Sequence, residues 1–147
     1  MIKKLDISNL DDLINIENIC FSHPLASNML KNALINEKYC FFGYTIDDKV
    51  IAYGSLFIVA DEAQINNIAV LPSFRKKGIA TKILNEIINY SKNCKCSVIT
   101  LEVRESNTNA IQLYQKSGFV TLRTRKKYYN HPTEDAYEMS KNIGENS

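Results

Sequence analysis

Pro72, Phe74, Arg75, Lys76, Lys77 and Gly78 stand directly ahead of a long segment with an apolar stripe. Such a run could bind an anion. A helix N-terminus carries unpaired backbone N–H groups and a partial positive charge. Gly78 would let the backbone approach a phosphate closely, and Arg75, Lys76 and Lys77 add charge. The loop matches neither the Walker phosphate loop nor the Gly-x-Gly-x-x-Gly dinucleotide fingerprint. Taken alone, a basic turn with one glycine is more often a solvated turn than a ligand site. The other residues able to do chemistry are scattered. Cys94-Lys95-Cys96 is too tight for the usual zinc pair, and neither His23 nor His131 has a second ligand at finger spacing, so no metal is expected. No cysteine shares a recognisable motif with a histidine, which weighs against a cysteine nucleophile.

The elements that would carry these residues follow from apolar spacing. Ile2 to Ile7 reads as a short strand. Ser8, with Asp11 three residues on, looks like a helix start, and Leu10, Leu13, Ile14 and Ile16 form its stripe. Pro24 interrupts, and Ser27 can cap a second short helix. Tyr39 to Ile46 and Val50 to Val59 read as a hairpin turning at Asp47-Asp48-Lys49. In the next run, Ala63 to Leu71, the residues Ile65, Ile68 and Val70 cannot share one face of a regular strand. A β-bulge near Asn66-Asn67 follows. The best helix spans about Lys77 to Asn93, with Ile79, Ala80, Ile83, Leu84, Ile87 and Ile88 on one face. A strand, Ser97 to Val103, precedes a helix opened by Asn107 and closed by a left-handed Gly118. Two strands, Phe119 to about Tyr129 and Ala136 to Ser140, close the chain. The pattern predicts one domain over residues 1–147, with a polar tail from about Asn142. Its class is α/β: a mixed, mostly antiparallel sheet of about seven strands flanked by about four helices.

Composition excludes several functions. The 147 residues are 45% apolar and 23% charged with a net charge of +2. That is ordinary for a globular chain, and too little charge for a strong nucleic-acid or membrane-surface footprint. No apolar run approaches the roughly 18 residues of a membrane span. The N-terminus lacks a signal-peptide core. The expected location is the cytoplasm, where the four cysteines stay reduced.

With these elements in order, the chain resembles the GNAT superfamily of acetyl-CoA-dependent N-acetyltransferases. Arg75 to Ala80 matches its Arg/Gln-x-x-Gly-x-Gly/Ala signature. Asn67-Ile68-Ala69-Val70 precedes it at the family's spacing. Leu101-Glu102-Val103-Arg104-Glu105-Ser106-Asn107 and Ala110-x-x-Leu113-Tyr114-x-x-x-Gly118-Phe119 follow it. Leu101 to Arg104, the Tyr128-Tyr129 pair and Glu134-Asp135-Ala136 are most similar to the RimI-type branch, which acetylates the N-terminal alanine of a small-subunit ribosomal protein. Two positions depart. Pro24-Leu25-Ala26 stands where that branch has Pro-Trp-Ser, and Gln64 stands where many relatives carry Glu.

The resemblance implies roles. Acetyl-CoA is the co-substrate, with its pyrophosphate on the backbone of Arg75, Lys76, Lys77, Gly78, Ile79 and Ala80, beside Thr81. Ile68, Ala69 and Val70 line the acetyl end, and the Val70 N–H faces the thioester oxygen. Asn107 holds the pantetheine arm, although a plain helix cap would also explain it. Glu102 is the base, directly or through a water; by itself it reads as a solvent-facing carboxylate on a half-exposed strand. Tyr114 is the acid that protonates the thiolate; by itself it reads as a core tyrosine. Leu25, Gln64, Tyr128 and Tyr129 border the acceptor, a protein or peptide N-terminus. An α-amine with pKa about 8 costs roughly 3 kcal/mol less to deprotonate than a lysine near 10.4, which suits a single carboxylate base. A lysine or small-molecule amine acceptor and a non-catalytic coenzyme-binding module remain alternative readings.

Overall fold

The computed structural model describes residues 1–130 and 132–144. His131 and the last three residues of the expected tail lie outside them. The strands are β1 (Ile2–Lys4), β2 (Tyr39–Ile46), β3 (Lys49–Val59), β4 (Glu62–Val70), β5 (Val98–Arg104), β6 (Val120–Tyr129) and β7 (Glu134–Asn142). The helices are α1 (Leu10–Cys20), α2 (Ser27–Leu34), α3 (Ile79–Asn93) and α4 (Thr108–Lys116). Their order along the chain is the one that apolar spacing predicts. The strands form one seven-stranded sheet, ordered β1-β2-β3-β4-β5-β7-β6. Among the described residues only β4 and β5 pair in parallel, which makes the sheet mixed and mostly antiparallel.

Each face of the sheet is sealed by its own apolar layer. On one face α3 lays Ile79, Ile83, Leu84, Ile87 and Ile88 against Leu56, Ile65, Ile99 and Leu101. This is the 3.6-residue stripe read from sequence. On the other face α1 and α2 bring Leu13, Ile16 and Leu30 onto Phe41, Val50 and Tyr53. In β5 the alternation is complete: Ile99, Leu101 and Val103 are buried, and Thr100, Glu102 and Arg104 are only partly buried. Gly118 does take a left-handed φ of +94° after α4.

Several element ends differ from the sequence reading. β1 stops at Lys4, not Ile7, because Asp6 bends the chain and caps a short 3-10 turn (Ile7–Asn9) by accepting the Ser8 N–H. Asp6, not Ser8, is therefore the capping residue. Ser27 is the first residue of α2, and Ala26 occupies the cap without a side-chain bond. β7 begins at Glu134 and runs to Asn142. Ile143 then packs into the core with its N–H on the Ser97 carbonyl at 2.9 Å, beyond the point where the polar tail is expected to begin.

Candidate active site

The sheet opens where the parallel pairing of β4 and β5 ends. Glu62, Ala63 and Gln64 pair with Val98, Ile99 and Thr100, and the two strands then separate. The expected bulge lies beside this opening. Ile65 pairs with Leu56, yet Asn67 pairs with Ser55, so Asn66 is the extra residue. The bulge resets which side chains face α3: Ala63 and Ile65 before it, Ile68 and Val70 after it. It also leaves the ladder in a definite phase. Leu71 donates its N–H to the Ile51 carbonyl at 3.0 Å. Neighbouring residues in an antiparallel ladder alternate in direction. The N–H groups of Ile68 and Val70 therefore turn away from β3, into the opening. The Val70 carbonyl points the same way, and accepts the Arg75 Nε at 2.8 Å and the Cys20 thiol at 3.5 Å. A cavity of about 460 Å³ fills the opening, lined by Ile68, Ala69, Val70, Lys76, Ala80, Asn107 and Tyr114 together with Cys20 and Phe21.

The basic loop leads out of this cavity into a second hollow of about 220 Å³, walled by Arg75, Lys76, Gly78, Ile79, Ala80 and Thr81. Gly78 is the cap of α3 with φ +78°, and a Cβ there would meet nothing within 4 Å. The first helical bond is Lys82 N–H to Gly78 carbonyl at 3.1 Å. The N–H groups of Ile79, Ala80 and Thr81 consequently point outward without helical acceptors. Arg75 is placed differently from the sequence expectation. Its N–H is bound to the Pro72 carbonyl at 3.3 Å, and its guanidinium turns inward to Val70 and to Cys20 Sγ at 3.7 Å. It braces the loop against β4. Lys77 lies over the Phe74 ring, its Nζ 5.8 Å from the centroid.

Glu102 projects from β5 on the face opposite Leu101 and Val103, with a side chain only 17% exposed. Gln64 donates to one carboxylate oxygen at 3.2 Å, and Arg125 Nε lies 3.6 Å from the other. Gln64 thus touches the candidate base. A carboxylate in its place would set like charges side by side. Glu138 already sits directly across from Glu102 on β7, a pairing that repels unless bridged. Arg125 bridges it, reaching Glu138 at 2.7 Å, and Arg123 adds a contact at 3.3 Å.

Tyr114 comes from α4, is 6% exposed and packs edge-on to Phe119. Burial, and secondarily Tyr129, push its hydroxyl up to about 12. Asn107 serves as the α4 cap through Oδ1, which accepts the Ala110 N–H at 3.2 Å, and also lines the cavity. The cap uses the oxygen and leaves the amide NH2 to donate.

The acceptor-side residues divide into two groups. Tyr128 and Tyr129 end β6 with perpendicular rings 5.0 Å apart. The Arg104 guanidinium lies 4.3 Å above Tyr129 and pairs with Glu134 at 3.0 Å. Burial first, then Tyr128 and Glu102, raise the Tyr129 hydroxyl to about 12. Leu25 lies apart from them, half-exposed, on a separate cavity of about 430 Å³ shared with Met29, Asn66 and Asn67. Phe21 walls both this cavity and the 460 Å³ one. Sequence reasoning misses Cys20, Phe21, Arg125 and Glu138. Each reaches the site through strand register or a helix end, and neither leaves a local spacing signal.

The family model described as "Acetyltransferase (GNAT) family" matches residues 10–119. The [ribosomal protein bS18]-alanine N-acetyltransferase of Haemophilus ducreyi is 36% identical over 132 residues, 90% of each chain. Its namesake in Escherichia coli strain K12 is 31% identical over 137 residues, 93% of this chain and 90% of the other. The crystal structure of the Escherichia coli enzyme superposes with a TM-score of 0.91 at 30% identity, covering 98% of this chain and 94% of that one. Arabidopsis thaliana NAA60 in complex with acetyl-CoA has the same fold at a TM-score of 0.87 and 21% identity.

Proposed function

The chain belongs to the acetyltransferase (GNAT) family, and we propose that it moves the acetyl group of acetyl-CoA onto the N-terminal α-amine of an alanine in a small-subunit ribosomal protein. Such a substrate places its work in the cytoplasm, and one catalytic domain accounts for the chain. The observation that carries the reading is the opening between β4 and β5. There the outward Val70 N–H and the buried Tyr114 line one cavity, and Glu102 stands on the adjoining strand.

The residues divide the chemistry among them. The N–H groups of Ile79, Ala80 and Thr81, at the positive end of α3, hold the pyrophosphate. Lys76 and Lys77 add charge at its rim. Asn107 donates to the pantetheine amide. The Val70 N–H donates to the thioester oxygen as it gains charge, a contribution worth roughly 3–4 kcal/mol for a pre-oriented donor. Glu102, oriented by Gln64 and Arg125, takes a proton from the amine, directly or through a water. The amine nitrogen forms its bond to the carbonyl carbon, and the carbon–sulfur bond breaks. The sulfur takes its proton from Tyr114, which at a pKa of about 12 still holds that proton at any working pH. Tyr128 and Tyr129 flank the peptide as it enters.

The test is thiol release from acetyl-CoA with two peptides: one beginning with free alanine, the other N-terminally blocked and carrying a lysine. Release with the first alone is the expected outcome. Release with the blocked peptide would move the acceptor to a lysine side chain. The half-exposed Leu25, and Gln64 beside Glu102, favour that second reading or a small-molecule amine. Binding of acetyl-CoA without turnover on any amine would leave a coenzyme-binding module.

A further inference from the structure

The chemistry above makes no use of Glu17. This carboxylate on α1 is 2% exposed, inside an otherwise apolar layer of Leu13, Ile16 and Leu30. A buried carboxylate is weak evidence for stability, since a well-packed apolar residue often does as well. Its partners show what it does instead. One oxygen accepts the N–H of Leu25, in the loop between α1 and α2, at 2.9 Å. The other accepts the hydroxyl of Tyr53 on β3. Tyr53 itself pairs with Ala69 on β4, and Asn67 of that strand lines the same cavity as Tyr53. Asn67 is the first paired residue after the bulge and precedes Ile68, whose N–H turns into the coenzyme opening. Glu17 therefore ties the loop to β3, the strand on which β4 and its bulge are paired. Glu17, Leu25, Tyr53 and Asn67 together wall the 430 Å³ cavity, and Phe21 borders both it and the coenzyme side.

We propose that Glu17 is a positioning residue for the acceptor: through Leu25 and Tyr53 it locks the acceptor-side loop to β3, on which the β4 bulge is paired, and so fixes the cavity in which an acceptor side chain lodges beside the thioester. This rests on the acceptor being a peptide amine. Leu25 then sets the cavity's outer edge. Leu25 is half-exposed, and its backbone is held by the bond from its N–H to Glu17.

The test combines acceptor kinetics with amide hydrogen exchange on Glu17→Gln and Tyr53→Phe. Tyr53→Phe preserves shape and guards against a Glu17 variant that does not fold. In both variants the Michaelis constant for the free-alanine peptide should rise, by about tenfold for loss of one hydrogen bond to a charged group. The dissociation constant of acetyl-CoA should stay within twofold, and kcat should change less than KM. The Leu25 amide and the amides of Asn67 and Ala69, which face β3, should exchange faster together. Unchanged peptide KM, or a peptide KM and an acetyl-CoA constant that move together with the melting temperature, would show a purely structural role and overturn the proposal. Faster exchange in the loop with none in the bulge would overturn the coupling. If the unsubstituted protein turns over no peptide, the acceptor reading fails by itself, and the paired exchange still decides whether Glu17 couples loop to bulge.

Discussion

Glu102→Gln keeps the size of the side chain and removes its ability to take a proton. Turnover should fall by about a hundredfold or more, the usual scale of a positioned base. The acetyl-CoA dissociation constant, measured by titration calorimetry, should not change, because the coenzyme is held elsewhere. Tyr114 makes a prediction about pH. Its hydroxyl is raised to about 12, so it remains a proton donor below that value. Turnover should climb as the α-amine deprotonates near pH 8 and stay level to at least pH 10, with no falling limb. A pH–rate profile of the unsubstituted protein checks this, and Tyr114→Phe should lower the plateau without moving the climb. At this scale the sequence shows that Glu102 faces away from Leu101 and Val103, because strand alternation is local. It does not show that Arg125 and Glu138 surround that carboxylate. They lie 23 and 36 positions away, and only the pairing of β5, β7 and β6 brings them together.

Among the elements, the bulge in β4 and the mouth of α3 matter most. The bulge is legible from Ile65, Ile68 and Val70 alone, because a period-2 strand cannot put all three on one face. Its consequence for the backbone is not, since that requires knowing which strand supplies the next hydrogen bond. The cap of α3 is legible through Gly78. The inward turn of Arg75 is not, because it answers to the Val70 carbonyl five residues back. Gly78→Ala isolates the backbone contribution, since the added methyl meets no neighbour. Holding a left-handed φ with a Cβ costs about 1–2 kcal/mol. The melting temperature should drop by several degrees and the acetyl-CoA constant should weaken as the loop relaxes. Calorimetry and coenzyme titration measure the two effects separately. Wrongly placed ends, such as Ser8 for Asp6, arise because several polar residues near a helix start can cap it and only the fold selects one.

For the molecule as a whole, the acid side of the stability curve follows from the β6–β7 turn. Hydrogen bonding from Ser106, helped by Arg104, holds the Glu134 carboxyl below its ordinary range. The Lys127 N–H does the same for Asp135, helped by Lys126. A carboxylate that is more acidic folded than unfolded adds stability above its unfolded pKa and loses it as pH falls through the folded value. The melting temperature should therefore be flat from neutrality to about pH 5 and decline below about pH 4. Glu134→Gln should shrink that decline. The class and chain order of the fold were legible from hydropathy, whereas the sheet order was not, because spacing alone does not say that β7 inserts between β5 and β6. The single parallel junction carries one more consequence. Of the six junctions between neighbouring strands among the described residues, two pair over only three residues on each side, β1–β2 at the sheet's edge and this one in its interior. Treated as a mechanical object, the molecule has a seam: β1 to β4 form one plate, β5 to β7 another, and a load drawn across the sheet should part them first along β4 and β5. A coenzyme wedged in that opening would bridge the plates, so the force needed to tear the protein in an optical trap should rise when acetyl-CoA is added.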